Sequence, residues 1–206
     1  MIMQKKTFRQ SWLKIVLGTS LLILAQHGEA SAAPYYLPIA GYGPTAPNAL
    51  SAEGLSLQQY AHQVGYAKFT APDWQEGNVR HVVMLRYKEG TTMDQRNEVT
   101  RRFLHLAQDS RRPNGKAVIK SIEYGDQSTG SGLSYGFQQI FVVSFRSEGD
   151  RNYFIGKPVV TDPQYFDPAH EAFVQFSAPY IEKVLVFDYN VRAVMNKDVS
   201  SKKRKH

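Results

Sequence analysis

The chain has 206 residues, 42% hydrophobic, 12% aromatic and 21% charged, proportions that exclude wholesale disorder, a collagen-like repeat and a multi-span membrane protein. It contains no cysteine, which removes disulfides, thiolate metal sites, cysteine nucleophiles and iron–sulfur clusters. The formal charge of +7 belongs to the two ends of the chain and leaves −1 for residues 33–190, so the folded part lacks the basic surface that phosphate binding needs, and no nucleic-acid partner is expected.

Residues 1–32 carry +3, from Lys5, Lys6, Arg9 and Lys14 against Glu29. An apolar run from Ile15 to Ala25 follows these bases, and then the small-residue sequence Glu29-Ala30-Ser31-Ala32-Ala33-Pro34. A basic start, an apolar stretch of this length and an Ala-x-Ala site make a secretory signal peptide, with cleavage expected after Ala32. The run is short of the roughly 20 residues that span a bilayer, so no stable membrane insertion is expected once the signal is removed. The mature protein is expected to be exported, periplasmic or secreted.

Residues 33–78 are rich in Pro, Gly, Ala and Tyr and read as an extended arm. Within it Ser56-Leu57-Gln58-Gln59 has the form of a capping box and predicts a short helix from Leu57 to Val64. Val79–Tyr87 alternates as a strand, with His81, Val83, Leu85 and Tyr87 on one face and Val82 and Met84 on the other. Thr92-Met93-Asp94-Gln95 is a second capping box, opening a helix to about Asp109 whose apolar stripe is Val99, Phe103, Leu106 and Ala107. A second strand is expected over Val118–Tyr124, a Gly/Ser loop to Gly136, and a third strand over Phe137–Phe145. Arg151–Ile155 reads as a short helical turn. Pro168–Phe176 reads as a helix with Pro168 in its first position and Asp167 as its cap, and Val184–Tyr189 as the last strand. Residues 191–206 form a basic tail of charge +5, expected to be disordered; its Lys202-Lys203-Arg204-Lys205 run suits contact with an anionic surface in an exported chain.

The order is β-α-β-β-α-β, an α+β unit of the ferredoxin-like kind. Strands one, three and four are apolar on both faces, whereas two helices cover only one face of a four-stranded sheet. The same sheet from a second copy is the simplest cover for the other, so the unit is expected to pair into a dimeric α/β barrel, a homodimer.

Val79-Arg80-His81-Val82-Val83-Met84-Leu85-Arg86-Tyr87, Gly136-Phe137 before an apolar strand, Asp167-Pro168-Ala169-His170-Glu171-Ala172-Phe173 and Glu182-Lys183-Val184-Leu185-Val186-Phe187-Asp188-Tyr189 together resemble the stress-responsive A/B barrel (Dabb) family, over about Val79 to Asn190. The resemblance implies a ferredoxin-like unit that pairs into a barrel. Many members of the family are stress-associated proteins of unknown activity. A plant branch includes a polyketide cyclase that closes an aromatic ring by aldol chemistry, using a histidine and a tyrosine. Carried onto this chain, the cyclase-type histidine falls on His170 and a second cavity histidine on His81. The tyrosine falls on Tyr153 or Tyr165, because this chain inserts about a dozen residues, Gly156–Asp167, between the Tyr-bearing helix and His170. Val83, Leu85 and Phe141 are the expected apolar walls of a ligand site beside His81.

An imidazole at His170 suits a general base that removes a proton α to a carbonyl, and a tyrosine hydroxyl suits the enolate oxygen that results. The competing reading is a structural histidine at a helix start. Gly132-Leu133-Ser134-Tyr135-Gly136 has the G-x-S-x-G form of a hydrolase elbow, but a strand follows it where the elbow needs a helix. The histidines show no i, i+4 pair, and Asp162, Asp167 and Glu171 read as turn and cap residues, so no metal site is expected. Related dimeric-barrel enzymes that bind haem keep a histidine in the cavity; no cofactor is expected for this chain. The expected function is an exported barrel that binds a small apolar molecule. The alternatives are a cyclase or lyase, and a structural dimer with a filled interior.

Overall fold

The computed structural model describes residues 50 and 52–195. The expected signal peptide and cleavage site, the arm as far as residue 49 and the tail from residue 196 lie outside the described residues. Strand β1 (Glu76–Tyr87) is the spine of a four-stranded antiparallel sheet, pairing with β3 (Gln139–Ser147) on one side and β4 (Ile181–Asn190) on the other. Strand β2 (Ser121–Asp126) adds to β3, giving the order β2-β3-β1-β4, which is the ferredoxin-like order.

Alternation in β1 sorts the molecule into two faces. Val79, His81, Val83, Leu85 and Tyr87 are buried, and the residues between them are partly exposed. Helices α3 (Met93–Asp109) and α5 (Pro168–Ser177) lie over the buried face, and Phe103 of α3 stacks on Phe141 of β3 at 4.0 Å. Both helices start where the sequence places them. Thr92 accepts from the Gln95 amide while the Gln95 side chain accepts from the Thr92 amide, and Asp167 accepts from the Ala169 amide.

The other face of the sheet is apolar and open. Met84 and Val82 of β1 stand between Ile140 and Val142 of β3 and Leu185 and Phe187 of β4, and Phe187 is 62% exposed. Arg86 and Glu182, joined by an ion pair, lie at one end of this patch.

Several boundaries differ from the sequence reading: β1 and β4 each begin three residues earlier than expected, and β3 starts and ends two residues later. Strand β2 begins at Ser121, three residues late; Val118 and Ile119 are buried in the core but run ahead of the ladder. The predicted turn at Arg151 is a full helix, α4 (Glu148–Ile155), capped by Ser147. Much of the described arm is helical: α1 spans Ala52–Val64, five residues longer than the Ser56 box predicts, and α2 spans Tyr66–Phe69, before turns lead into β1 at Glu76.

These two helices fold onto the segment that follows α4. Ala61, Phe69, Val160 and Phe166 form a second buried cluster, with Tyr66 and Tyr165 against it. The chain between α2 and β1 seats on α4: the Gly149 amide donates to the Trp74 carbonyl, and the Asn152 side chain donates to the Phe69 carbonyl. Arg112 holds the same helix from the opposite side through the buried Asp150, at 2.7 Å. A Cβ on Gly149 would stand 1.8 Å from the Ala71 carbonyl oxygen, so only glycine allows this seating. Gly149→Ala is therefore expected to cost about 1–3 kcal/mol, read as a lower urea midpoint, and to expose residues 65–75 to protease. An unchanged midpoint and cleavage pattern would mean that the segment is not seated on α4 in solution.

Candidate ligand cavity

A cavity of about 170 Å³ opens between β1, β4 and α5. Its floor is three inward-facing pairs on alternate β1–β4 rungs. His81 faces Asp188, Val83 faces Val186 and Leu85 faces Val184. Helix α5 roofs these rungs with His170, Phe173, Val174 and Ser177, α3 adds Phe103, and the end of α4 and the chain beyond it add Ile155, Lys157 and Pro158. The walls are apolar apart from the two histidines, Asp188, Lys157 and Ser177.

The polar corner is built around Asp188. His81 Nδ1 lies 2.6 Å from Asp188 Oδ1, and Arg151 Nη1 donates to Asp188 Oδ2 at 3.2 Å. Burial alone would raise the Asp188 carboxyl. The charge of His81 and its hydrogen bond, reinforced by Arg151, outweigh burial and hold the group below its ordinary range. An ionised carboxylate only accepts, so Nδ1 carries a proton toward Asp188, and in the neutral ring this leaves Nε2 as the acceptor.

His170 is held differently. It is the third residue of α5, and its ring lies over Phe154 at 4.1 Å; Phe154 in turn meets the His81 ring edge-on at 5.9 Å. Burial, with a smaller contribution from His81, pushes the His170 imidazole from 6.5 down to about 3, against a hydrogen bond to the Phe154 backbone. At neutral pH it is uncharged.

Of the residues singled out from the sequence, His81, His170, Val83 and Leu85 meet in this cavity. Phe141 stands one ring behind the wall, stacked on Phe103. Tyr153 is buried on α4 beneath the Arg112 guanidinium, 4.7 Å from its ring centre, where burial raises its hydroxyl pKa. Tyr165 packs on Tyr66 in the second cluster, with ring centres 6.2 Å apart. Neither tyrosine lines the cavity. Ser134 of the G-x-S-x-G pattern sits in a single 3₁₀ turn on an exposed loop, with no helix after it. Among the described residues no three His, Asp or Glu side chains gather to hold a metal ion.

Sequence reasoning missed Asp188, Arg151 and Lys157. Asp188 had a signal: it falls in phase with Val184 and Val186, so alternation alone turns it inward. Arg151 and Lys157 had none, because their contacts depend on how α4 and the chain after it pack.

Residues 79–191 match the Stress Responsive A/B Barrel Domain, Dabb, over more than half of the chain. The chain belongs to the Dabb family. Olivetolic acid cyclase of Cannabis sativa is 27% identical over 115 residues, a stretch that covers 55% of this chain and 97% of the cyclase. Among solved structures, a protein from Arabidopsis thaliana has 24% identity and a TM-score of 0.46, covering 57% of this chain and 99% of its own. Hydroxynitrile lyase from Passiflora edulis has 20% identity and a TM-score of 0.45, covering 59% of this chain and 99% of the lyase. Every residue of the cavity lies inside the Dabb segment, whereas α1 and α2 precede it.

The buried, neutral His170 ties stability to pH. An unfolded chain binds a proton at this residue below about 6.5, and the folded chain does so only near 3, so the stabilising difference is complete above 6.5 and lost as pH falls toward 3. Carboxylates held low, such as Asp188, add their own loss at lower pH. The expected result is that folding stability falls from pH 6.5 to 5 in the wild type and falls less in His170→Gln. An equal loss of urea-derived stability between these pH values in the two proteins would refute a buried neutral imidazole.

Proposed function

We propose that this protein is an exported Dabb homodimer whose cavity binds a small, mostly apolar molecule. The cavity supports the binding reading through its size and lining. It matches the roughly 150 Å³ engineered apolar cavity that takes up benzene, and a few polar groups converge at one end, as in small-molecule sites generally. One observation favours binding over turnover: the histidine carried over as general base, His170, is pushed down to about 3. A base that weak removes protons poorly near neutral pH, since the useful range lies near the working pH.

The open sheet face supports the dimer. A contiguous patch of Val82, Met84, Ile140, Val142, Leu185 and Phe187 is costly to leave in water and marks a surface that pairs. Export rests on the basic start, apolar run and Ala-x-Ala site of residues 1–33.

A second reading, a lyase or cyclase that works by proton abstraction, is favoured by the His81–Asp188 pair. A carboxylate that fixes the Nδ1–H tautomer leaves Nε2 as the acceptor, the arrangement that orients a catalytic histidine. In that reading His81 takes the proton. His170 serves as a neutral partner for an oxygen, with the hydroxyl role of Tyr153 or Tyr165 requiring a rearrangement of α4 or of the chain after it.

Native mass spectrometry of the purified protein is expected to give a dimer carrying an extra small-molecule mass. Phe187→Glu is expected to give a monomer, and Val83→Trp a dimer without the adduct. A wild-type monomer would overturn the barrel, and an adduct retained in Val83→Trp would place the ligand elsewhere. An extracted ligand that changes mass on incubation with wild type, but not with Asp188→Asn, would establish the second reading. Expression of the whole chain in a secreting host is expected to yield a mature protein that begins at Ala33; an intact amino terminus would refute cleavage.

A further inference from the structure

The cavity's mouth is shaped in part by chain that the rest of the barrel does not hold. Lys157 and Pro158 line it, and both belong to the segment that resembles an insertion between α4 and α5. That segment is pinned by α1 and α2. Gln58 Nε2 donates to the Pro158 carbonyl at 3.2 Å, the Tyr66 hydroxyl donates to the Val159 carbonyl at 3.3 Å, and Val160 is fully buried against Ala61 and Phe69. On the near side Gly156 turns at φ +63°, and a Cβ there would stand 2.6 Å from Phe166 Cβ. Lys157 is thus held between two fixed points, and its backbone has little room to carry the side chain away.

The charge at the mouth is unevenly committed. Asp188 is engaged by both His81 and Arg151. Lys157 is the only lysine or arginine among the described residues that line the cavity, and its Nζ lies 2.8 Å from Glu171 Oε1 and 5.2 Å from the centre of the Phe166 ring. Glu171 also accepts from Gln175 Nε2 at 3.3 Å. An ammonium has three donors, and Glu171 takes one of them. The side chain is 32% exposed, so a second acceptor can approach without the cost of stripping a buried charge.

We propose that Lys157 anchors the head group of the ligand. The ligand is then an organic anion with an apolar body, about the size of a benzene ring or a short alkyl chain, set among Val83, Val174 and Val186, and an anionic head at the Lys157 ammonium beside Glu171. The proposal rests on the reading that the cavity binds a small apolar molecule, and it narrows that reading to one ligand class. A carboxylate and a phosphate ester share this chemistry. A neutral isostere has the same body but no charge for Lys157 to select.

The test is calorimetric titration of the purified full chain with hexanoate, hexyl phosphate and hexanamide, which share one apolar tail. Wild type is expected to bind at least one of the two anions about tenfold more tightly than the amide, the scale of one charge-assisted contact at a partly wet site. Which anion gains identifies the head group. Lys157→Gln is expected to bring the affinity for the preferred anion down to that for hexanamide, whereas Lys157→Arg keeps the preference. Lys157→Gln with Glu171→Gln repeats the measurement without leaving the Glu171 charge unpaired. If wild type binds all three probes equally, or if Lys157→Gln keeps the preference, the anchor is refuted and the apolar cavity stands. If wild type binds none of them, both the anchor and the binding reading fail.

Discussion

The constraint on which this molecule depends is the two-residue period of a single strand. β1 is hydrogen-bonded on both sides, so its register fixes that of β3 and β4, and each of its side chains is committed to one face. Val79, His81, Val83, Leu85 and Tyr87 turn toward the helices, and Arg80, Val82, Met84 and Arg86 turn away. A slip of one residue would put His81 on the open face and Met84 in the core. The core, the cavity and the apolar outer patch are therefore three consequences of one register.

Within the cavity, two histidines in the same apolar surroundings are held by different neighbours. His81 stands opposite a carboxylate on the next strand and gains a partner for its ring proton. His170 stands over a phenyl ring with only a backbone group to bind, so burial dominates and the imidazole stays neutral. A catalytic account of the site therefore leans on His81, and a binding account uses both as hydrogen-bonding points on an apolar wall.

What was legible in the sequence was local. The Thr92 and Asp167 caps are written within three residues and the faces of β1 within nine, whereas His81 and His170 as cavity residues came from the resemblance to the Dabb family. The start of β2 was missed because Val118 and Ile119 are apolar and β-branched wherever they are buried, and nothing in their identity separates the ladder from the chain leading into it. The length of α1 was missed because the Ser56 capping box occurs inside the helix rather than at its start. The positions of Tyr153 and Tyr165 were not readable, since each depends on a partner far along the chain: Arg112 for one and Tyr66 for the other.

The same limit explains why the arm and the segment after α4 look like separate irregularities in the sequence and form one unit in the structure. Val160 and Phe166 are buried together with Ala61 and Phe69 of α1 and α2, with Leu57, Val64, Tyr66, Val159 and Tyr165 packed around them. Neither piece hides its apolar surface alone, so each is the condition for the other to be ordered. Their joint packing leaves the sheet's open face untouched. It acts instead at the end of α4, where it sets the path of Lys157 and Pro158 along the cavity mouth. Substitutions at Tyr66 or Phe69, which do not line the cavity, thus bear on its shape through the stretch from Lys157 to Val160.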